Sequence, residues 1–254
     1  MQKKRYIKSP MKQKLILALL LAVSNVYATD VSKSWESAPV YLPGSYFAKS
    51  TKHLDSLAQA YPVVIYLHGC TGITQNNDRA WAKELSNNGY IVVMPDSMSR
   101  NGRIPDCDPR IKGPVGAFPQ AHSYRQEEIG YSLEQIKQSK WADKRNVFIM
   151  GHSEGGIAVA RSTYADVSGI IISGWTCTHK TNPKFDGINS PKSVPGLAVA
   201  WTRDPWREGK PNEGSCSNKA DGRSFKQVDL PGVGHDTYGH SNADIIKFFK
   251  DNTK

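Results

Sequence analysis

Asn146-Val147-Phe148-Ile149-Met150-Gly151-His152-Ser153-Glu154-Gly155-Gly156 decides how this chain folds. A short run with β-branched and aromatic side chains enters Gly-x-Ser-x-Gly and then a stretch able to form a helix. That strand–turn–helix context is what a nucleophile elbow requires. In such a turn the serine backbone is strained, and the flanking glycines omit the side chains that would collide with strand and helix. Ser153 would then present its Oγ at the sheet's carboxyl edge as a nucleophile. The Glu154 amide would lie at the helix N-terminus, where unpaired N–H groups and the helix dipole stabilise an oxyanion. Gly-x-Ser-x-Gly alone is a weak signal, because both residue types are common in turns; the strand ahead of it gives it weight.

Outward from the elbow, apolar runs recur at Val63–Leu67, Ile91–Met94, Val147–Met150, Ile170–Ile172 and Leu197–Trp201, with a last strand expected near Phe225–Leu230. Their nearly continuous hydrophobicity suits strands buried on both faces, as in a parallel sheet covered by helices. Helices are expected over about 76–88, 121–139, 154–166 and 241–252. Ile129, Leu133 and Ile136 keep i, i+4, i+7 spacing, and Ile245, Phe248 and Phe249 keep i, i+3, i+4, so both sets read as core-facing stripes. Alternating strands and helices give an α/β fold with a mostly parallel central sheet and helices on both faces. Ligand chemistry is then expected outside the strands' carboxyl ends.

A serine of ordinary acidity needs a base within hydrogen-bond reach and an acid to orient that base, in the chain order nucleophile, acid, histidine. Asp204 follows the strand Leu197–Trp201 directly, and His235 stands in the glycine-rich loop between the last strand and the last helix. Asp221 and His240 are the reserve candidates. After the strand Val63–Leu67, the turn His68-Gly69-Cys70 can supply the second oxyanion amide, that of Cys70. The candidate site is thus catalytic Ser153, Asp204 and His235 with the backbone N–H groups of Cys70 and Glu154. A base of this kind predicts kcat/KM falling at low pH, with an apparent pKa near or somewhat above that of free imidazole. His235, Asp236 and His240 match no strong zinc pattern, and neither a metal nor any other cofactor is required.

Through His68-Gly69-Cys70, Pro95-Asp96-Ser97, Gly151-His152-Ser153-Glu154-Gly155-Gly156, Asp204 and His235, the chain resembles the α/β-hydrolases of the dienelactone hydrolase-like group over about residues 60–250. The intervals of 51 residues from Ser153 to Asp204 and 31 from Asp204 to His235 are similar to that group's layout. Dienelactone hydrolases proper are cytosolic and use a cysteine nucleophile, whereas this elbow carries serine, so lactone substrates do not transfer. The resemblance implies an esterase or related acyl hydrolase acting through an acyl-enzyme on a small acyl substrate. A non-catalytic hydrolase-like binding protein and a small serine peptidase are the alternatives. Four cysteines allow three disulfide pairings. In the usual strand order of this fold, the loops holding Cys70 and Cys107 follow neighbouring strands, as do those holding Cys177 and Cys216, which favours 70–107 and 177–216.

Residues 1–28 begin with Lys3, Lys4, Arg5, Lys8, Lys12 and Lys14, continue through the apolar run Leu15–Val23 and end in Val26-Tyr27-Ala28. That order is a secretory signal peptide, with an apolar run too short for an ordinary membrane span. Residues 29–254 are expected to form one domain, exported to the periplasm or beyond, with no stable membrane anchor. Without the leader's six basic side chains, 27 basic residues face 23 acidic ones, so the chain's formal charge of +10 falls to about +4. No basic run with interleaved aromatics points to nucleic acid. Trp175, Trp201 and Trp206 are candidates to line a pocket, and Arg203 and Arg207 could hold an anionic substrate group.

Overall fold

A computed structural model describes residues 30–108, 110, 113–114, 118–179, 182–207 and 214–254. The expected signal peptide and its cleavage point lie outside the described residues. Among those described, no helix is long and apolar enough to cross a membrane.

The central sheet has eight strands: β1 (Pro39–Tyr41), β2 (Lys49–Ser50), β3 (Tyr61–Leu67), β4 (Ile91–Val93), β7 (Ala142–His152), β8 (Gly169–Ser173), β9 (Gly196–Arg203) and β10 (Phe225–Val233). A separate hairpin is formed by β5 (Cys107–Asp108) and β6 (Gly113–Pro114). The sheet order is β10-β9-β8-β7-β3-β4-β1-β2, parallel from β10 to β4 and antiparallel only where β1 joins β4 and β2 joins β1. The helices are α1 (30–36 as described), α2 (Ala80–Asn87), α3 (Phe118–Gln138), α4 (Glu154–Arg161) and α5 (Asn242–Asn252). This is the α/β architecture expected from the strand pattern.

The strands alternate between two apolar layers, as a pleated sheet buried on both faces must. Val63, Ile65 and Leu67 point to one layer with Ile129 and Ile136; Val64 and Tyr66 point to the other with Ile245 and Phe249. Leu133 and Phe248, the remaining members of the two helical stripes, are only partly buried against these layers. Removing an aliphatic or aromatic side chain of this kind from water is worth about 1.5–3 kcal/mol each.

Three elements depart from expectation. The helix expected over 154–166 stops at Arg161, because Ser162 closes it, with both its N–H and its Oγ–H donating to the Val159 carbonyl. A π-turn, Gln75–Arg79, precedes α2 in place of a single helix. The last strand runs on to Val233 through a register shift after Leu230.

The sheet register sets the site. Leu67 pairs with Gly151, His152 with Ser173, Ser173 with Val199 and Arg203 with Val233. The carboxyl ends of β3, β7, β8, β9 and β10 therefore finish at one edge, where parallel sheets place their ligands. Among the described residues, both disulfides bridge loops at that edge: Cys70 with Cys107, and Cys177 with Cys216. This is the pairing that the strand order implies.

Candidate active site

Ser153 has φ 56° and ψ −116°, the left-handed geometry of an elbow. Its N–H donates to the Ser173 carbonyl at 2.8 Å, and its carbonyl accepts from Ile157 N–H at 3.0 Å, so the residue is tied to the sheet and opens α4. The glycines around it are steric necessities. A Cβ at Gly151 would sit 2.3 Å from the Gly155 carbonyl oxygen, one at Gly155 2.1 Å from the Leu67 carbonyl oxygen, and one at Gly156 2.8 Å from the Ser173 carbonyl oxygen. Elbow, β3 and β8 thus touch backbone to backbone.

Gly155→Ala is accordingly expected to destabilise the fold by at least about 3 kcal/mol, or a Tm loss of roughly 6–12 °C. Differential scanning fluorimetry checks this. A Tm within 2 °C of wild type would mean that β3 and the elbow can move apart.

Asp204 follows β9 immediately and is buried, and His235 follows β10. Asp204 Oδ2 accepts a hydrogen bond from His235 Nδ1 at 2.7 Å, which leaves Nε2 as the ring nitrogen with a lone pair. Asp204 Oδ1 accepts from the Trp206 amide at 2.9 Å, so both carboxylate oxygens are engaged. Burial lowers the pKa of His235, and this outweighs the opposing pull of the Asp204 carboxylate. The direction differs from the sequence expectation of a value near or above free imidazole, because the ring is enclosed more than a loop position implies.

The loop bearing His235 is laced to the sheet. Trp201 Nε1 donates to the Asp236 carbonyl at 2.7 Å, Gly234 N–H to the Arg203 carbonyl at 3.1 Å, and Gly232 N–H to Thr202 Oγ1 at 3.0 Å. Beyond it, Asn77 Oδ1 accepts from the amides of Thr237 and Tyr238, each at 3.2 Å, and Thr237 Oγ1 lies 2.8 Å from Ser173 Oγ. A Cβ at Gly234 would come 2.3 Å from the Trp201 indole, so glycine is required there for the close approach. His152 packs behind, its ring 4.7 Å from that of His235, with Nδ1 2.9 Å from Ser173 Oγ.

The reserve candidates fall away from this arrangement. Asp221 is exposed and pairs with Lys192 at 2.6 Å. The His240 ring lies against Trp201, 4.6 Å between centroids. Trp206 faces the His235 ring at 5.6 Å, whereas the Trp201 indole serves the loop. Arg203 is exposed, and the side chain of Arg207 lies outside the described residues.

The turn after β3, just before Cys70, runs beside the elbow: a Cβ at Gly69 would contact the Ser153 Cβ at 3.5 Å. His68 is fully buried. Its Nδ1–H donates to the Gly69 carbonyl at 2.7 Å, and its Nε2 accepts from Ser97 N–H at 3.2 Å. Burial and the adjacent Arg125 guanidinium push its pKa well below the ordinary value, so the ring is neutral. An open cleft of about 470 Å³ bounded by Thr71, Gly72, Ile73, Asp96 and Met98 flanks this turn.

Beneath the elbow lies an ionic cluster that sequence reading missed. Arg103 Nη2 donates to both Glu154 carboxylate oxygens at 2.7 and 2.9 Å, and Arg125 Nε donates to Oε1 at 2.8 Å. Asp106 and Glu128, both buried, stand beside the two arginines. Arg125 and Glu128 lie on the expected helix 121–139, of which only the apolar stripe Ile129, Leu133 and Ile136 was singled out. Glu154 was expected to act through its amide alone, and its buried side chain adds a second role.

Burial and the Glu154 carboxylate raise the Asp106 carboxyl to about 8. Burial would also push Glu154 up, but Arg125, the Asp106 hydrogen bond and Arg103 outweigh it and hold that carboxyl low. Of the two carboxyls, Asp106 is therefore the one that holds its proton to higher pH. A raised acid binds its proton more tightly folded than unfolded. Its contribution is complete below the ordinary value of 3.8 and is lost as pH rises through about 8. Asp106→Asn, permanently neutral and able to donate to Glu154, is expected to abolish this part of the slope. The Tm difference, wild type minus variant, should fall between pH 5 and 8; parallel curves would show that no proton is held there.

Comparison with known proteins places this geometry in context. The family model described as "Putative esterase" matches residues 37–163, half of the chain. A search of curated protein sequences gave no match. Among solved structures, an S-formylglutathione hydrolase from Agrobacterium tumefaciens aligns with a TM-score of 0.56 at 17% identity, over 85% of this chain and 89% of that one. Est1E from Butyrivibrio proteoclasticus, with ferulic acid bound, gives 0.54 at 16% over 85% and 92%. A structure titled "Putative Dienelactone Hydrolase", from Klebsiella pneumoniae, gives 0.53 at 12% over 84% and 94%. At these identities the structural likeness shows the fold alone, an α/β-hydrolase fold with a mostly parallel central sheet.

Proposed function

The chain belongs to the esterase family, and on that premise we propose that it is an exported serine hydrolase that cleaves a carboxylic ester through an acyl-enzyme. The observation that carries the reading is the 2.7 Å bond between His235 Nδ1 and Asp204 Oδ2, at the sheet edge where Ser153 stands with φ 56°. In the proposed reaction, Ser153 Oγ attacks the substrate's carbonyl carbon while His235 Nε2 takes the hydroxyl proton. Asp204 holds the ring in the tautomer that leaves Nε2 free and stabilises the imidazolium that forms. The tetrahedral oxyanion accepts hydrogen bonds from the amides of Cys70 and Glu154. His235 returns the proton to the departing alcohol oxygen as the C–O bond breaks. Water then attacks the acyl-enzyme with its proton passing to Nε2, and that proton goes back to Ser153 as the carboxylic acid leaves.

Export is proposed from the basic, apolar and small-residue order of residues 1–28. Two disulfides among the described residues suit an oxidising compartment and support that reading.

The test is hydrolysis of a p-nitrophenyl ester series from acetate to dodecanoate by residues 29–254, beside labelling with a fluorophosphonate, which reports an activated serine whatever the natural substrate. The expected result is turnover with a chain-length optimum, label on Ser153, and an acid limb of kcat/KM below pH 6.5, as the lowered His235 value requires. No turnover of any ester together with no label would leave a non-catalytic hydrolase-like protein.

A further inference from the structure

The two proposed oxyanion amides come from different turns, Cys70 after β3 and Glu154 after β7. Their separation must be held to a fraction of an ångström for both to meet one oxygen. Arg125, projecting from α3, touches both turns. Its Nε donates to Glu154 Oε1 at 2.8 Å, while its Nη2 donates to the His68 carbonyl at 2.9 Å and the Gly69 carbonyl at 3.3 Å. The same guanidinium reaches Glu128 Oε2 at 3.4 Å through Nη1, and the side chain is fully buried. Only a planar fork with donors on separate nitrogens meets a carboxylate on one side and two carbonyls on the other, and lysine has no such fork. We infer that Arg125 is a positioning residue that fixes the His68-Gly69-Cys70 turn against Glu154 and so sets the width of the oxyanion hole. The inference rests on the serine-hydrolase reading above and deepens it.

Arg103 shows why Arg125 is singled out. It holds the Glu154 carboxylate as firmly, but its other contacts run to Ser97 Oγ and, within its own segment, to the Ile104 carbonyl and the Asp106 carboxylate. It therefore steadies the elbow from one side without gripping the residue before Cys70. A loss at Arg103 shifts stability, and a loss at Arg125 shifts the distance between the two donors as well.

Arg125→Lys is the informative variant, since it keeps the charge and loses the fork. Rates are measured per active site, counted by fluorophosphonate titration, so that misfolded protein does not enter. The affinity of a trifluoromethyl ketone, whose adduct with Ser153 carries the oxyanion, is measured beside the KM of a p-nitrophenyl ester. The expected result is a kcat reduced about 10–100-fold with KM within threefold, and ketone affinity falling in step with kcat. A role in stability alone would lower Tm and leave kcat per titrated site and ketone affinity within threefold of wild type, which would overturn the inference.

If Arg125→Lys does not fold, the charge-balanced pair Arg125→Gln with Glu128→Gln removes one buried charge of each sign and takes its place. The same loss of kcat and ketone affinity is expected of it, and wild-type values would overturn the inference. A wild-type protein that neither labels nor binds the ketone would sink the hydrolase reading and this one together. A labelled wild type beside a fully active Arg125 variant overturns this one alone.

Discussion

Ser153→Ala is expected to lower kcat on a p-nitrophenyl ester by about 10⁴–10⁶, His235→Ala to do the same, and the double variant to lose no more than either single one. The non-additivity follows from how the parts work. Without the imidazole, Ser153 is an ordinary alcohol. Without the hydroxyl, the imidazole has no proton to take, so removing the second partner removes nothing further. The residual rate belongs to the oxyanion donors and to binding. Neither substitution should disturb the fold, because the elbow is held by backbone contacts at Gly151, Gly155 and Gly156 and by Ser153 N–H to the Ser173 carbonyl. Steady-state kinetics with matched thermal melts checks this. Additive losses, or a Ser153→Ala enzyme within tenfold of wild type, would mean that these residues do not act as one unit.

The strands were legible wherever both faces are buried. Val63–Leu67, Val147–Met150, Ile170–Ile172 and Leu197–Trp201 all lie within observed strands, because a parallel sheet covered on both sides leaves unbroken apolar runs. The antiparallel edge was not legible: β1 and β2 have three and two residues, too few for any period to register. The 70–107 and 177–216 disulfides could be expected because strand order, once granted, makes their loops neighbours.

The polar interior was invisible for a different reason. Arg125 and Glu128 stand three residues apart on a helix, a pattern that ordinarily marks a solvated face, and only the tertiary fold shows both fully buried. The same limit applies to the anchors of the histidine loop. Asn77 and Thr237 are 160 residues apart, and nothing local in either says that they meet. Burial also lowers the His235 pKa, where the reading of a histidine base led to a value near or somewhat above that of free imidazole.

Asp204→Asn is expected to lower kcat by about 10⁴ although it changes neither size nor shape. The reason is the second hydrogen bond of that side chain. Asp204 Oδ1 accepts from the Trp206 amide at 2.9 Å, and only an oxygen can accept there. An asparagine must therefore turn its oxygen to Trp206 and its Nδ2 to His235. A donor facing Nδ1 selects the tautomer with the proton on Nε2, where the ring cannot take the Ser153 proton. If the carboxylate acted only by holding the ring in place, the isosteric amide would retain most of the activity. The discriminating comparison adds Asp204→Ala, in which no group dictates the tautomer. Asn should be at least as damaging as Ala, with an unchanged Tm and a slow fluorophosphonate reaction in both. An Asp204→Asn enzyme within tenfold of wild type would show that orientation alone is the role of the acid, and an enzyme equally indifferent to Ala would remove Asp204 from the triad.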